Sequence, residues 1–207
     1  MPRPKVAILS RDRIAAAALE VADEHGKFTM AQLAKSLGVT SPSLYNHVSG
    51  MDEVVELMRE AIHVSQGPKI DPAWTWQEVV RHVAHHDRDS IGQHPWLAAD
   101  LMISQVVADE PTESVISFAE ALSTAGFTTE DVYLIIGSVD LLTAGGALDM
   151  GAPERVYRID VELGDHALGA SLRANPKGRA RADAVFDFAV ESFIRSLERL
   201  LAERLAG

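Results

Sequence analysis

Residues 29–47 read T-M-A-Q-L-A-K-S-L-G-V-T-S-P-S-L-Y-N-H, the grammar of two short helices joined by a tight turn. Thr29 is a good N-cap, and Met30, Leu33, Ala34 and Leu37 follow at helical spacing, which gives the first helix one apolar stripe. Gly38 stops it: a glycine just past the last apolar position suits the left-handed conformation, and Val39 is the apolar plug such a turn tucks inward. Ser41 before Pro42 supplies an N-cap and a first-turn proline for a second helix, in which Leu44 and Val48 face the core. Thr40, Ser41, Pro42, Ser43, Tyr45, Asn46 and His47 are left on its outer surface and leading end, with Thr29 heading the helix before. In a helix-turn-helix, that surface enters the major groove of DNA. Ser and Thr hydroxyls suit base edges or phosphates, Pro and the Thr methyl suit thymine methyls, and Tyr and His reach backbone oxygens.

The flanks fit. Ser10 opens a helical run in which Ile14, Ala17, Ala18, Val21 and Ala22 form the apolar face and Gly26 closes it. Residues 51–65 form another amphipathic helix, built on Val54, Val55, Leu57, Met58, Ala61 and Ile62. The motif therefore sits within three helices and is followed by a fourth.

On these residues, A-A-L-E-V-A at 17–22, T-M-A-Q-L-A-K-S-L-G-V at 29–39 and S-L-Y-N-H-V at 43–48, the N-terminal part resembles the DNA-binding domain of the TetR family of transcriptional regulators. Residues 113–153, with A-L-S-T-A-G-F-T-T-E-D-V-Y and a glycine-bearing apolar helix after it, are similar to the ligand-binding and dimerising domain of tetracycline-repressor-like members. The resemblance implies that the long helix near 129–150 and the last helix pair with their symmetry mates in a four-helix dimer interface. The chain also departs from the family pattern. Where relatives often carry a lysine-rich turn, it has Ser49, Gly50 and Met51, so phosphate contacts there fall to Ser49 or to backbone N–H groups at the helix start. An arginine that reaches a base from the second helix in some relatives is Ala31 here, so no relative's operator can be copied.

Composition bounds the rest. The 207 residues, 47% hydrophobic, can bury a sizeable core. We read no membrane-length apolar run and no signal peptide, and expect a cytoplasmic protein. Without cysteine there are no disulfides, thiolate zinc sites or thiol redox sensing. The net charge of −11 opposes phosphate binding, but it is unevenly spread. Residues 1–50 hold six Lys or Arg against four Asp or Glu, a balance of +2, which leaves −13 for the remainder. An acidic body behind a mildly basic reading head suppresses non-specific binding.

The reading is an all-α chain with a helix-turn-helix domain at 1–50, a connecting helix at 51–66 and a ligand-binding and dimerisation domain at 67–207. Helices are expected near 75–91, 95–108, 112–125, 129–150 and 181–205, with one short piece at 165–174 in an otherwise loop-like stretch from 153 to 181. Thr129, with Glu130 and Asp131 in the first turn, starts a helix that is apolar nearly all round from 133 to 148. Its Gly137, Ser138, Ala144, Gly145, Gly146 and Ala147 would let another helix approach closely, and the last helix offers a broad apolar face that includes Val185, Phe188, Val190, Phe193, Ile194 and Leu197.

A ligand pocket in a helical bundle is mostly apolar with a few convergent polar groups. The candidate lining is His85, Trp96, Leu101, Met102, Phe118, Leu122, Phe127, Ile135, Ser138, Val139 and Leu142, each of which could equally be plain core. His82 and His86 have chelating i, i+4 spacing beside His85 and His94, but nothing fixes a further ligand, so a solvated polar face, with His94 capping the next helix, is the favoured reading and neither metal nor cofactor is expected. Enzyme motifs are missing; the best such reading would be a metal-dependent hydrolase on His85, His86 and Asp87. The function expected is a homodimeric regulator, a repressor of double-stranded operator DNA released by a small-molecule effector, the alternative being a body that binds a protein partner.

Overall fold

A computed structural model describes residues 9–94, 112–151, 166–174 and 176–206. Among them are nine helices and no strand: α1 (Arg11–His25), α2 (Met30–Ser36), α3 (Ser41–Leu44), α4 (Met51–Gln66), α5 (Trp76–Gly92), α6 (Glu113–Ala125), α7 (Thr129–Met150), α8 (Ala167–Ala174) and α9 (Gly178–Ala206). The expected helix at 95–108, with Trp96, Leu101 and Met102, lies outside the described residues.

Local chemistry sets most helix starts. Ser10 accepts from the Arg13 N–H at 3.2 Å, and Thr29 and Thr75 each close a reciprocal capping box, with Gln32 and Glu78 respectively. One cap falls a residue earlier than expected: Thr40 caps α3, which places Ser41 inside the helix. α7 starts at Thr129 as expected, and Thr128 before it caps the helix through a box with Asp131. In both cases the preceding threonine has the extended backbone that lets its hydroxyl turn back onto the third helical N–H.

Two cores result. In the head, Ile14, Ala18 and Ala22 of α1 pack with Leu33, Leu44, Val48, Val54, Leu57 and Met58, so α4 belongs to the head's core along its first half. In the body, Val79, Val80 and Val83 of α5 meet Phe118, Leu122 and Phe127, Ile135 and Val139 of α7, and Phe186, Val190, Ile194 and Leu197 of α9. Full burial of each large side chain stabilises by roughly 1.5–3 kcal/mol.

α9 begins at Gly178, three residues before the expected start. Its first-turn cations are held from elsewhere in the chain: Arg179 pairs with Asp89 at 3.0 Å and Asp183 at 2.8 Å, and Arg181 with Asp149 at 2.7 Å. These partners lie on α5 and α7 as well as α9, which local sequence does not reveal. The contact between α7 and α9 is close at Gly146, where a Cβ would collide with the Phe186 ring.

By length and composition, with mean hydropathy 1.4 over its most apolar window, α7 could cross a membrane, contrary to the expectation of no such run. Its packing against α5 and α9 accounts for the inward part of that character, about a third of the window being buried.

Candidate nucleic-acid interface and effector pocket

α2 and α3 hold the reading surface. Gly38, at φ +70°, makes the turn between them, and the Val39 N–H returns to the Ala34 carbonyl at 2.9 Å. α3 ends at Leu44, short of the expected run to Val48, and residues 45–47 form a turn; Leu44 and Val48, 0% and 2% exposed, pin this segment to the head's core, while Tyr45 is 52% exposed. Thr40, Pro42, Asn46 and His47 are exposed around it, and Ser41 and Ser43 are half-buried. The six share one outward end. Thr29 is exposed but has its hydroxyl in the α2 capping box, and Thr40 likewise accepts from the Ser43 N–H at 3.4 Å.

Ser49 is differently placed. Its amide and hydroxyl both donate to the Glu53 carboxylate, at 2.7 and 2.9 Å, and Arg11 donates to the same carboxylate at 2.5 Å. The Ser49 amide, then its hydroxyl and Arg11, hold the Glu53 carboxyl below the ordinary glutamate range. Donors that could meet a phosphate are thus gathered by one acid at the start of α4. Sequence reading missed Glu53 and Arg11, which lie 42 positions apart.

The predicted pocket residues divide. Phe118, Leu122, Phe127, Ile135 and Val139 are 4% exposed or less and form the body's core, with Leu142 packed against it. The Ser138 hydroxyl donates to the Leu134 carbonyl at 2.7 Å within its own helix. His85 turns toward α9, 3.5 Å from the Asp187 carboxylate and edge-on to Phe186. His82 lies against Trp74, and burial, then His86, lowers its pKa. His86 bonds Asp87 at 3.1 Å, and His94 reaches Asp23 of α1 at 2.6 Å, which ties the end of α5 to the head. Among the described residues no group of three His, Cys, Asp or Glu could hold a metal.

Other polar groups of α4 and α7 stand out by burial or charge. Arg59 of α4 is 5% exposed, and Thr143 of α7 is 2% exposed with no partner for its hydroxyl. One turn before Thr143, burial and then the Asp87 carboxylate push Asp140 up to about 6, against the pull of Arg59. Asp140 itself is exposed on α7. The sequence signal was available: Asp140 is the one charge between positions 133 and 148. Farther along the body, Ile70, Trp74, Trp76, Val79 and Ala121 line a half-open groove of about 500 Å³ with Asp71 and Glu120.

An HTH-type transcriptional regulator of Saccharopolyspora erythraea is 31% identical over 176 residues, 81% of this chain and 70% of that protein. The tetracycline repressor protein class E of Escherichia coli is 26% identical over 210 residues, covering 96% of this chain and 95% of the repressor. The chain belongs to the TetR family. No protein-family model matches it. The crystal structure of a transcriptional regulator from Streptomyces coelicolor A3(2) superposes on this TetR-family chain with a TM-score of 0.73 at 25% identity, covering 93% of this chain and 98% of the other. The protein is a DNA-binding transcriptional regulator of TetR type, as its relatives' names indicate.

Proposed function

We propose that the protein is a homodimeric repressor that reads a palindromic operator with α3 and is released when a small molecule binds between α4, α5 and α7. The observation that carries the DNA reading is the division of residues 40–48, α3 with its cap and the turn after it: Leu44 and Val48 are buried, while Thr40, Pro42, Tyr45, Asn46 and His47 are exposed. BioQ, solved with its natural double-stranded DNA operator, is similar at 26% identity and a TM-score of 0.56 over 68% of this chain, which supports the same use of this face.

The dimer reading rests on an apolar stripe that one chain leaves uncovered. Leu134, Leu141 and Leu148 of α7 are 46–61% exposed and seven residues apart, and Gly137 and Gly145 between them have open space where a Cβ would stand. Val185 and Phe188 of α9, 53% and 72% exposed, add to it. A patch of this kind with helical grooves suits a second copy, and two-fold symmetry matches two half-sites. Phe193, by contrast, is half-buried against the body's own core.

Effector binding then needs only a difference in affinity between two dimer shapes, on the order of 1–3 kcal/mol, to change operator occupancy. The protein so read acts in the cytoplasm, without membrane, metal or catalytic activity. Selection of bound sequences from random duplex DNA tests it. Enrichment of a palindrome whose affinity falls steeply with salt is expected; no enrichment from a folded, dimeric sample would overturn the operator reading.

A further inference from the structure

The Glu53 carboxylate, in the first turn of α4, joins three donors from two parts of the head. The Ser49 N–H and hydroxyl donate to its Oε2 at 2.7 and 2.9 Å, and the Arg11 guanidinium of α1 donates to its Oε1. These bonds hold the carboxyl below the ordinary glutamate range, so it is charged at neutral pH. The cluster is open to water: the Arg11 and Glu53 side chains are 56% and 28% exposed, and Ser49 is exposed. An ion pair so placed adds little to stability. Its position is what matters. Ser49 is two residues beyond His47, at the edge of the exposed run Tyr45, Asn46 and His47. Two residues of chain span about 7 Å at most, and a major groove about 12 Å wide is bordered on both sides by phosphates. A face seated in that groove brings the residues beside it against the backbone. Two neutral donors and a cation thus stand at the border of the reading face, and a carboxylate already occupies them.

We infer that Glu53 is a specificity-determining residue: it competes with DNA phosphate for Ser49 and Arg11, so that the head grips the backbone only where base contacts from residues 40–47 hold a phosphate against it. This rests on the DNA reading above. Non-specific affinity is almost wholly phosphate neutralisation. A duplex of arbitrary sequence offers no base contacts, so its phosphate must displace the carboxylate unaided and against like charge. An operator supplies base contacts that offset the exchange, and its phosphate oxygen then accepts the same charge-assisted bonds. Residues 1–50 hold only six Lys or Arg against four Asp or Glu, so the state of one cation weighs heavily in the head. The neighbouring acid, Asp52, is exposed and lies outside the cluster that Glu53 gathers.

The test measures the affinity of the full-length protein, across salt concentrations, for the operator found by selection and for a duplex of random sequence. Glu53→Gln removes the charge and keeps an oxygen that can accept from Ser49, while Asp52→Asn removes an equal charge one residue away. Expected for Glu53→Gln are an unchanged helical spectrum, random-duplex affinity about tenfold higher or more, and operator affinity raised no more than a few-fold. Its log affinity for random duplex should fall more steeply with log salt, by about 0.9 for each phosphate newly met. Adding Arg11→Met should take back most of the gain. Asp52→Asn should raise both affinities slightly and alike. A Glu53→Gln protein that melts lower and binds both duplexes more weakly would make Glu53 a residue that only orders the turn. Equal gains on the two duplexes, or the same gains from Asp52→Asn, would reduce its effect to general charge. A wild type that prefers no sequence brings down the operator reading, and the specificity role with it. Random-duplex affinity unmoved by Glu53→Gln, with the operator still selected, overturns the role of Glu53 alone.

Discussion

The head and the body differ in how far their polar groups reach. In the head, most polar groups near helix ends are satisfied within three or four residues, Ser10 with Arg13, Thr29 with Gln32 and Ser49 with Glu53, with Arg11 joining Glu53 from farther away. In the body, beside similar caps at Thr75 and Thr128, ion pairs tie distant helices together, as in Arg81 with Glu191 and Arg88 with Asp183. A reading head must present the same face each time, so it is closed locally and packed on an all-apolar core.

The sharpest way to break the comparison is inside the head. Leu44→Ala removes a side chain with 0% exposure, and should cost about 2–5 kcal/mol. Thermal melts should show it, with operator binding lost because the head unfolds. Tyr45→Ala, its exposed neighbour, should leave the melt unchanged and still weaken operator binding tenfold or more; normal binding would remove α3 from the interface.

On the body, Phe188→Glu places a charge on the uncovered face of α9 and should convert dimer to monomer by sedimentation, with an intact helical spectrum. An unaltered sedimentation profile would rule that face out. Smaller effects separate two adjacent glycines. Gly146→Ala collides with Phe186 and should cost about 1–3 kcal/mol through overpacking. Gly145→Ala meets nothing within its own chain and should raise monomer stability by up to about 1 kcal/mol while weakening the dimer. Equal effects on melting and on dimer affinity would erase the distinction between the two faces of α7.

Asp140 gives the smallest and most specific effect. Its folded-state pKa, about 6, lies above the ordinary aspartate value, so the folded protein holds this proton more tightly than the unfolded chain. Its contribution favours folding at low pH, declines as pH rises from about 4 to 6, and above that is a full penalty. Asp140→Asn should therefore melt higher than wild type at pH 7.5, with the difference vanishing toward pH 4. Glu53 has the opposite sign: its lowered pKa stabilises at neutral pH and is lost as acid protonates it. A pH-independent difference for Asp140→Asn would place that carboxyl in ordinary solvent.

How much of this was legible beforehand follows the same division. α1 to α4 were readable because caps, a turn glycine and apolar spacing act over one or two turns, although Thr40 took the cap that Ser41 had been given. Two adjacent hydroxyl residues compete for a cap, and only backbone geometry decides between them. The pocket list, chosen for apolar character, mostly found the core, since Phe118, Leu122 and Ile135 have the same sequence signature whether they touch a ligand or each other.

The sequence by itself determined an all-helical chain, the helix-turn-helix and its outward side chains, because hydrophobic periodicity and capping are local and strong. Tertiary structure alone decided which face of α7 and α9 is core and which is uncovered, and why α9 starts at Gly178. Those outcomes depend on which distant partner arrives at each side chain, and neither spacing nor composition carries that information.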